Sequence, residues 1–390
     1  MAFSRATRLD QLPPYLFIEI DRKKRAALAA GRDVIDFGVG DPDRPTPKFI
    51  IDRLAEAAYD PANHRYPSDV GVAEFRQTVG TWFAKRFGVT LDPKSEILTV
   101  IGTKEGIGHL PLAVVNPGDV ALVPQPGYPV YQSSTIFAGG EPYIMPLTAE
   151  RGFLPDLDAI PTSILDRTSL MFINYPNNPT GAVAGIEFYE KCVALARKHD
   201  FIVCSDAAYC EMYFRDNDRP HSILEVPGSR EVAVEMHSLS KTFNMTGWRL
   251  GFAVGHADVL AALAKIKGNV DSGQFNAIQH AGVAAMSRID GPEIAAIRET
   301  YRQRRDALVP GLNELGFKVD PPRATFYVWA KCPAGWDSMR CAGRLLDDAS
   351  IVAIPGIGFG VGGDGYVRFA LTVETPRIAA ALERLASLKW

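Results

Sequence analysis

The chain has 390 residues, 47% hydrophobic and 22% charged, with a formal net charge of −3. That length exceeds one ordinary core and predicts two domains of a soluble globular protein. The near-balanced charge excludes the basic footprint of nucleic-acid binding or of attraction to an anionic membrane, so the expected partners are small molecules and other protein chains.

In chain order, residues 1–44 show no strand–helix alternation and are expected to form an N-terminal arm that packs on the C-terminal part or on a partner chain. The opening MAFSRATRLDQLPPYLF has no apolar stretch of signal-peptide length. No window approaches the ~20 apolar residues of a membrane span, so a cytoplasmic address is expected. From about residue 95 to 255 short apolar runs alternate with helical patterns. The strand-like runs are ILTVIG (97–102), VALVPQP (120–126), SLMFINYP (169–176), FIVCSDAAY (201–209), VAVEMHS (232–238) and LGFAVG (250–255). EFYEKCVALARKHD (187–200) has helical spacing between two of them. Strands apolar on both faces and separated by helices predict a mostly parallel α/β sheet. The tail differs: a long helical pattern over 291–316 leads into strand-like ATFYVWAKC (324–332) and GYVRFALTV (365–373), then a final helix, which predicts a smaller α+β domain. The expected divisions are 1–44, 45–285 and 286–390, tightly apposed because no Ser- or Gly-rich linker separates them. Five cysteines without C-x-x-C spacing predict reduced thiols rather than a disulfide framework or a metal site. Cys204, inside an apolar run, is expected as a small buried hydrophobe.

Ligands of open α/β sheets bind beyond the carboxyl ends of the strands, and polar residues punctuate those ends. Gly102, Thr103 and Lys104 follow ILTVIG where a strand turns into a helix, a place where free N–H groups and the helix dipole suit phosphate; a plain turn is the alternative. Asn177 and Asn178 precede Pro179, where local backbone capping competes with a binding role. Asp206 ends a strongly apolar strand and needs a partner, because an unpaired buried charge is costly; a helix N-cap would also satisfy it. Tyr209, three residues on, fits packing or chemistry. HSLSKTFNMTGWRLG (237–251) places Lys241 between Ser238, Ser240 and Arg249. A lysine at such a place, in apolar surroundings, can lose its proton and become a nucleophilic amine. The chemistry that most needs one is Schiff-base formation with an aldehyde, and pyridoxal 5′-phosphate supplies an aldehyde, a phosphate and a ring nitrogen that wants a carboxylate.

The pattern S-x-S-K-x-x-x-x-x-G-x-R-x-G, here Ser238 through Gly251, resembles the cofactor-lysine signature of class I/II aminotransferases of fold type I. IDFGVGDPDRPTP (35–47), HRYPSDVG (64–71), GTKEGI (102–107), PGYPVY (126–131), NYPNNPTG (174–181), SDAAYCEM (205–212) and GYVRFALT (365–372) resemble further blocks of that family in its order. The resemblance implies a seven-stranded, mostly parallel sheet between helices, with a smaller α+β domain. It implies that Lys241 binds pyridoxal phosphate and acts as general base and acid. Asp206 pairs with the ring nitrogen, Tyr209 and Asn178 bond the ring's phenolate oxygen, and Tyr128 stacks on the ring. Gly102, Thr103, Lys104, Ser238, Arg249 and, less directly, Ser240 hold the phosphate. Tyr66 reaches it from the second subunit of a homodimer with shared sites. Arg368 clamps the substrate α-carboxylate bidentately, and Gly40 lets the backbone approach that group. LPPYLFIEIDRKKRAALAAGRDVIDFGVGDPDRPTP, GTKEGIGHL and PGYPVYQSST look most like the LL-diaminopimelate aminotransferase group, whose members convert LL-diaminopimelate and 2-oxoglutarate to tetrahydrodipicolinate and glutamate in lysine biosynthesis. Asp69, also from the partner chain, is then the candidate for the substrate's distal ammonium. Relatives with the same blocks act on aspartate, alanine or aromatic amino acids.

Other classes fit less of the chain. Ser238-x-x-Lys241 also matches the nucleophile motif of serine acyl-enzymes, with Ser205-Asp206-Ala207 near their S-D-N, yet the serine ends a strand and no K-T-G follows. Gly358-x-Gly360-x-x-Gly363 matches a dinucleotide fingerprint, but a strand follows it where a helix should stand. A ligand-sensing regulator would need an additional basic DNA-binding domain, for which neither end has room or charge.

Overall fold

The computed structural model describes residues 4–12, 16–388 and 390; Pro13, Pro14 and Tyr15 of the LPPYLF block lie outside them. In chain order the strands are β1 (Ile35–Asp36), β2 (Ile97–Val100), β3 (Val120–Gln125), β4 (Glu141–Pro146), β5 (Thr168–Ile173), β6 (Ile202–Asp206), β7 (Ala233–Ser238), β8 (Gly251–Gly255), β9 (Tyr327–Lys331), β10 (Ile351–Val352), β11 (Ile354–Pro355) and β12 (Tyr366–Ala370).

Seven of them form one sheet in the order β2-β8-β7-β6-β5-β3-β4. Neighbours pair in parallel except β8, which runs antiparallel to both β2 and β7. All six strands expected in this region form, each one to four residues shorter than its apolar run. The seventh, β4, is not among the expected strands. Pro142 and Pro146 disguise it, since proline cannot donate to a ladder; the sheet tolerates them because β4 is its edge strand. The apolar runs are continuous because both faces are covered. Val79, Phe83, Leu122, Met171, Val203 and Phe252 pack on one side, and Leu110, Ala121, Leu170, Cys204, Val234 and Met236 on the other.

The C-terminal part has an antiparallel sheet β11-β12-β9. Its core is shared with the helix Pro292–Glu314 and the final helix Thr375–Ala386 through Leu308, Phe326, Val328, Phe369 and Ile378. The first 44 residues, expected as an arm without strand–helix alternation, contain a helix and a short strand. Leu16–Ala29 is a helix and β1 pairs in parallel with β10. The DRKKR run masks the helix; among its described side chains, Ala27 packs on Leu346 and Val352, with Ile20 and Val34 beside them. Polar ties complete the attachment, Lys24 to Asp36 at 2.7 Å and Arg32 to the carbonyls of Leu346 and Asp347 at 2.5 and 2.7 Å.

Gly358-x-Gly360-x-x-Gly363 lies in two short 3-10 turns, Gly356–Phe359 and Val361–Gly363, that lead into β12 and open no helix. Among the described residues no helix is long and apolar enough to cross a membrane. All five cysteines are unpaired and buried.

Candidate active site

The carboxyl ends of β2, β3, β5, β6 and β7 face one edge of the sheet, and antiparallel β8 begins there. Over that edge lies a cleft of about 1190 Å3, lined by groups from both parts of the chain: Asp206 at the end of a strand of the large sheet and Lys241 in the turn after another, with Tyr327 and Arg368 from the small sheet.

Lys241 stands in a single helical turn, Leu239–Thr242, that follows β7 directly. Ser238 caps this turn: its Oγ accepts from Ser240 N at 3.1 Å. Nζ of Lys241 donates to the Gly40 carbonyl at 2.8 Å. Burial is the main cause lowering the lysine's pKa to about 8; the Arg368 and Arg249 cations add to it and Asp41 opposes it. A lysine so placed gives up its proton, and becomes nucleophilic, far more readily than an exposed one.

Asp206 is the last residue of β6 and 6% exposed. Oδ2 accepts from the Tyr131 hydroxyl at 2.7 Å and Oδ1 from Ala208 N at 3.2 Å. Asn174 Nδ2 binds its main-chain oxygen at 2.7 Å. Burial pushes the carboxyl up to about 6, against those two hydrogen bonds and the nearby His237. Among the described residues no side-chain cation pairs with it, which suits a carboxylate that faces a cationic ligand group.

A cluster of donors lies nearby. Thr103 and Lys104 open the helix Thr103–Val114, whose N-cap is Gly102 at φ +75°. A side chain there would be strained and would collide with the guanidinium of Arg249. Arg249 is itself left-handed at φ 55° and is steadied by the Thr246 carbonyl at 2.8 Å. Thr103, Lys104, Ser238, Ser240 and Arg249 all line the cleft. Ser240 Oγ is buried with no partner among the described residues. Free amides at a helix start, hydroxyls and two cations suit a phosphate dianion.

Arg368, on β12, is 4% exposed. It donates from Nη1 to Asn178 Oδ1 and from Nη2 to the Gly38 carbonyl, each at 2.9 Å, while Nε is buried and unpartnered among the described residues. Its guanidinium lies 4.2 Å from the Tyr327 ring centre and 4.8 Å from that of Phe359. Asn178 and Arg368 thus meet directly in the lining of the cleft. Tyr209 shares a 2.9 Å hydroxyl contact with Tyr327. Tyr128 lies edge-on to Tyr131 at 5.7 Å. A Cβ at Gly40 would strike the Tyr327 hydroxyl.

Three predicted residues are not among those that line the cleft: Gly102, which caps the helix beside it, Tyr66 and Asp69. Tyr66 is 90% exposed and Asp69 lies against Gly268; neither lines the cleft of its own chain. Sequence reasoning missed Tyr131, Asn174 and Tyr327. Tyr131 had a signal: a second tyrosine three residues after Tyr128, in the first turn of the helix Val130–Ala138. Tyr327 had none, because β9 reaches the cleft only through packing of the two parts of the chain.

The arrangement provides a reactive amine, an anion cradle, a buried carboxylate and a buried guanidinium around one cavity. Residues 32–385 match the family described as aminotransferase class I and II. The chain is 57% identical to an LL-diaminopimelate aminotransferase of Syntrophobacter fumaroxidans over 390 residues, 100% of each chain. It is 52% identical to one from Moorella thermoacetica over 382 residues, 97% of each. Among solved structures, substrate-bound BacF of Bacillus subtilis is similar at 35% identity and a TM-score of 0.95, covering 100% of this chain and 99% of that one. A double mutant of Thermus thermophilus aspartate aminotransferase is similar at 29% identity and 0.92, covering 99% of each.

Proposed function

The chain belongs to the class I and II aminotransferases, and from that membership we propose that it moves an amino group from LL-diaminopimelate to 2-oxoglutarate, yielding tetrahydrodipicolinate and glutamate for lysine biosynthesis. The observation that carries the substrate is the similarity, over the full length, to relatives bearing that name. The cleft supports the reaction class. When bound, pyridoxal 5′-phosphate supplies the aldehyde that captures the amino group and a ring that accepts electrons.

The residues present fit that cofactor. A buried hydroxyl on Ser240 without a partner among the described residues, the cradle that a Cβ at Gly102 would fill, and a buried carboxylate that pairs with no side-chain cation among the described residues answer in turn to phosphate, phosphate and ring nitrogen. In this reading Gly102, Thr103, Lys104, Ser238, Ser240 and Arg249 hold the phosphate. Asp206 keeps the ring nitrogen protonated, Tyr128 covers a ring face, and Tyr209 and Asn178 bond the phenolate oxygen. Lys241 Nζ, freed from the Gly40 carbonyl, takes the proton from the donor's Cα. Arg368 receives the α-carboxylate beside Gly40, and its already buried, stacked guanidinium loses little freedom in doing so.

The protein acts as a homodimer. Tyr66 and Asp69 lie away from their own cleft, and Tyr59, Tyr66, Val270 and Phe275 expose apolar surface of the sort a second copy covers. Tyr66 then completes the partner's phosphate site, and Asp69 binds the distal ammonium of the substrate. The functional divisions are the arm 1–44, the cofactor-binding part 45–285 and the C-terminal part 286–390. Five unpaired thiols fit a reducing cytoplasm.

A donor panel tests the substrate. With 2-oxoglutarate as acceptor, LL-diaminopimelate should exceed aspartate, alanine and phenylalanine in kcat/KM by about tenfold or more. A flat profile rejects the assignment. Asp69→Ala should depress the rate with LL-diaminopimelate and spare aspartate; an untouched diaminopimelate rate removes Asp69 from the site.

A further inference from the structure

Tyr131 has no place in the chemistry described so far, yet its side chain is fully buried and its hydroxyl touches the carboxylate at the centre of it. The ring stacks on Phe172 at 4.9 Å with a 20° tilt. A phenylalanine would pack there equally well, so apolar burial does not account for the hydroxyl. Burial and the adjoining carboxylate raise the phenol's pKa well above its ordinary value, which keeps the group a proton donor at every physiological pH. The hydroxyl points at Oδ2, leaving Oδ1 to the Ala208 amide. The groups that bear on this carboxylate are Tyr131 from the helix Val130–Ala138, Cys204 from the same strand, His237 from the neighbouring β7 and Tyr209 from the turn after β6. Of these only Tyr131 hydrogen-bonds it through a side chain.

We propose that Tyr131 is a positioning residue, whose hydroxyl holds the Asp206 carboxylate ionised and turned into the cleft so that it can pair with a cationic ring nitrogen. The inference rests on the reading of Asp206 as the cofactor's partner and adds what keeps that partner competent. Without the hydroxyl, Oδ2 has no donor among the described residues, and a desolvated carboxylate in that state takes up a proton. A neutral Asp206 cannot stabilise the charge on the ring nitrogen. Tyr131 thus acts on affinity for the cofactor and on turnover, and leaves amino-acid recognition at Arg368 alone.

The test uses Tyr131→Phe, and a variant with 4-aminophenylalanine at 131 that restores an N–H donor on the same ring, each alone and combined with Asp206→Asn. Three quantities are measured. They are the titration midpoint of the Asp206 carboxyl carbon in cofactor-free protein by 13C NMR, affinity for pyridoxal phosphate by fluorescence quenching, and kcat and KM of the loaded enzyme. Tyr131→Phe should raise the midpoint, weaken cofactor affinity about 10- to 100-fold and lower kcat by a similar factor, the range of one hydrogen bond to a charged group. KM for the amino donor should stay within about twofold. 4-Aminophenylalanine should restore all three, and over Asp206→Asn the Phe substitution should have almost no further effect. An unmoved midpoint, or equal losses with and without Asp206, would reduce Tyr131 to packing and overturn the proposal. Failure of the underlying reading shows separately: Asp206→Asn alone would leave cofactor affinity and kcat intact, which removes the ground under Tyr131 as well.

Discussion

Lys241 illustrates how one side chain's surroundings make its chemistry. Burial lowers its pKa from 10.5 to about 8, so the unfolded chain holds that proton across pH 8 to 10.5 and the folded one does not. Stability of the cofactor-free protein therefore rises with pH through that window, and below pH 8 the folded state carries the full cost of a buried ammonium. Lys241→Met should stabilise the cofactor-free protein by ~3 kcal/mol below pH 8, with the difference vanishing towards pH 10.5. Chemical denaturation of both proteins across that range checks it; a constant difference would show that packing, not ionisation, sets the change. The lysine itself was legible in the sequence because its flanking serines, glycines and arginine are local. Its pKa was not, since the groups that set it include Asp41 and Arg368, distant along the chain.

At the scale of elements, the anion cradle depends on a strand that stops and a helix that starts within three residues. β2 ends at Val100, the next helix begins at Thr103, and Gly102 takes the positive φ that joins them. Glu105 secures the turn by accepting from Ile101 N at 2.9 Å and from buried Lys267 at 2.9 Å. Gly102→Ala places a methyl group against the Arg249 guanidinium and strains the backbone by about 1 kcal/mol or more. We expect about tenfold weaker binding of pyridoxal phosphate, seen by titrating cofactor-free protein, with smaller loss for the dephosphorylated pyridoxal. Equal losses for both ligands would place the damage outside the cradle. The turn was readable because glycine after an apolar run is a local signal. β4 was not, because its two prolines argue against a strand until the edge position is known.

At the scale of the whole molecule, the cleft exists because two sheets and the arm close around it. Arg304, 1% exposed, bonds both oxygens of Asp43 at 2.7 Å and the Leu371 carbonyl at 2.9 Å, fastening the Gly38–Asp43 segment to the C-terminal part. That segment brings Gly40 to Lys241 and Gly38 to Arg368. The proposed shared dimer predicts complementation: Lys241→Ala and Tyr66→Ala, each impaired alone, should on subunit exchange regain about a quarter of the wild-type sites, since half of randomly mixed dimers carry one intact site of two. No recovery after confirmed exchange would confine each site to one chain.

The sequence by itself determined six of the sheet's seven strands and the chemical inventory of its edge, because strands, caps and turns are written in residues a few positions apart. It left open which side chains meet across the cleft. Tyr131 against Asp206, Tyr327 against Tyr209 and Arg304 against Asp43 join positions 75, 118 and 261 residues apart. Only tertiary packing chooses such partners, since a buried polar group is stabilised by whatever donor the closed fold brings to it and not by its neighbours in the chain.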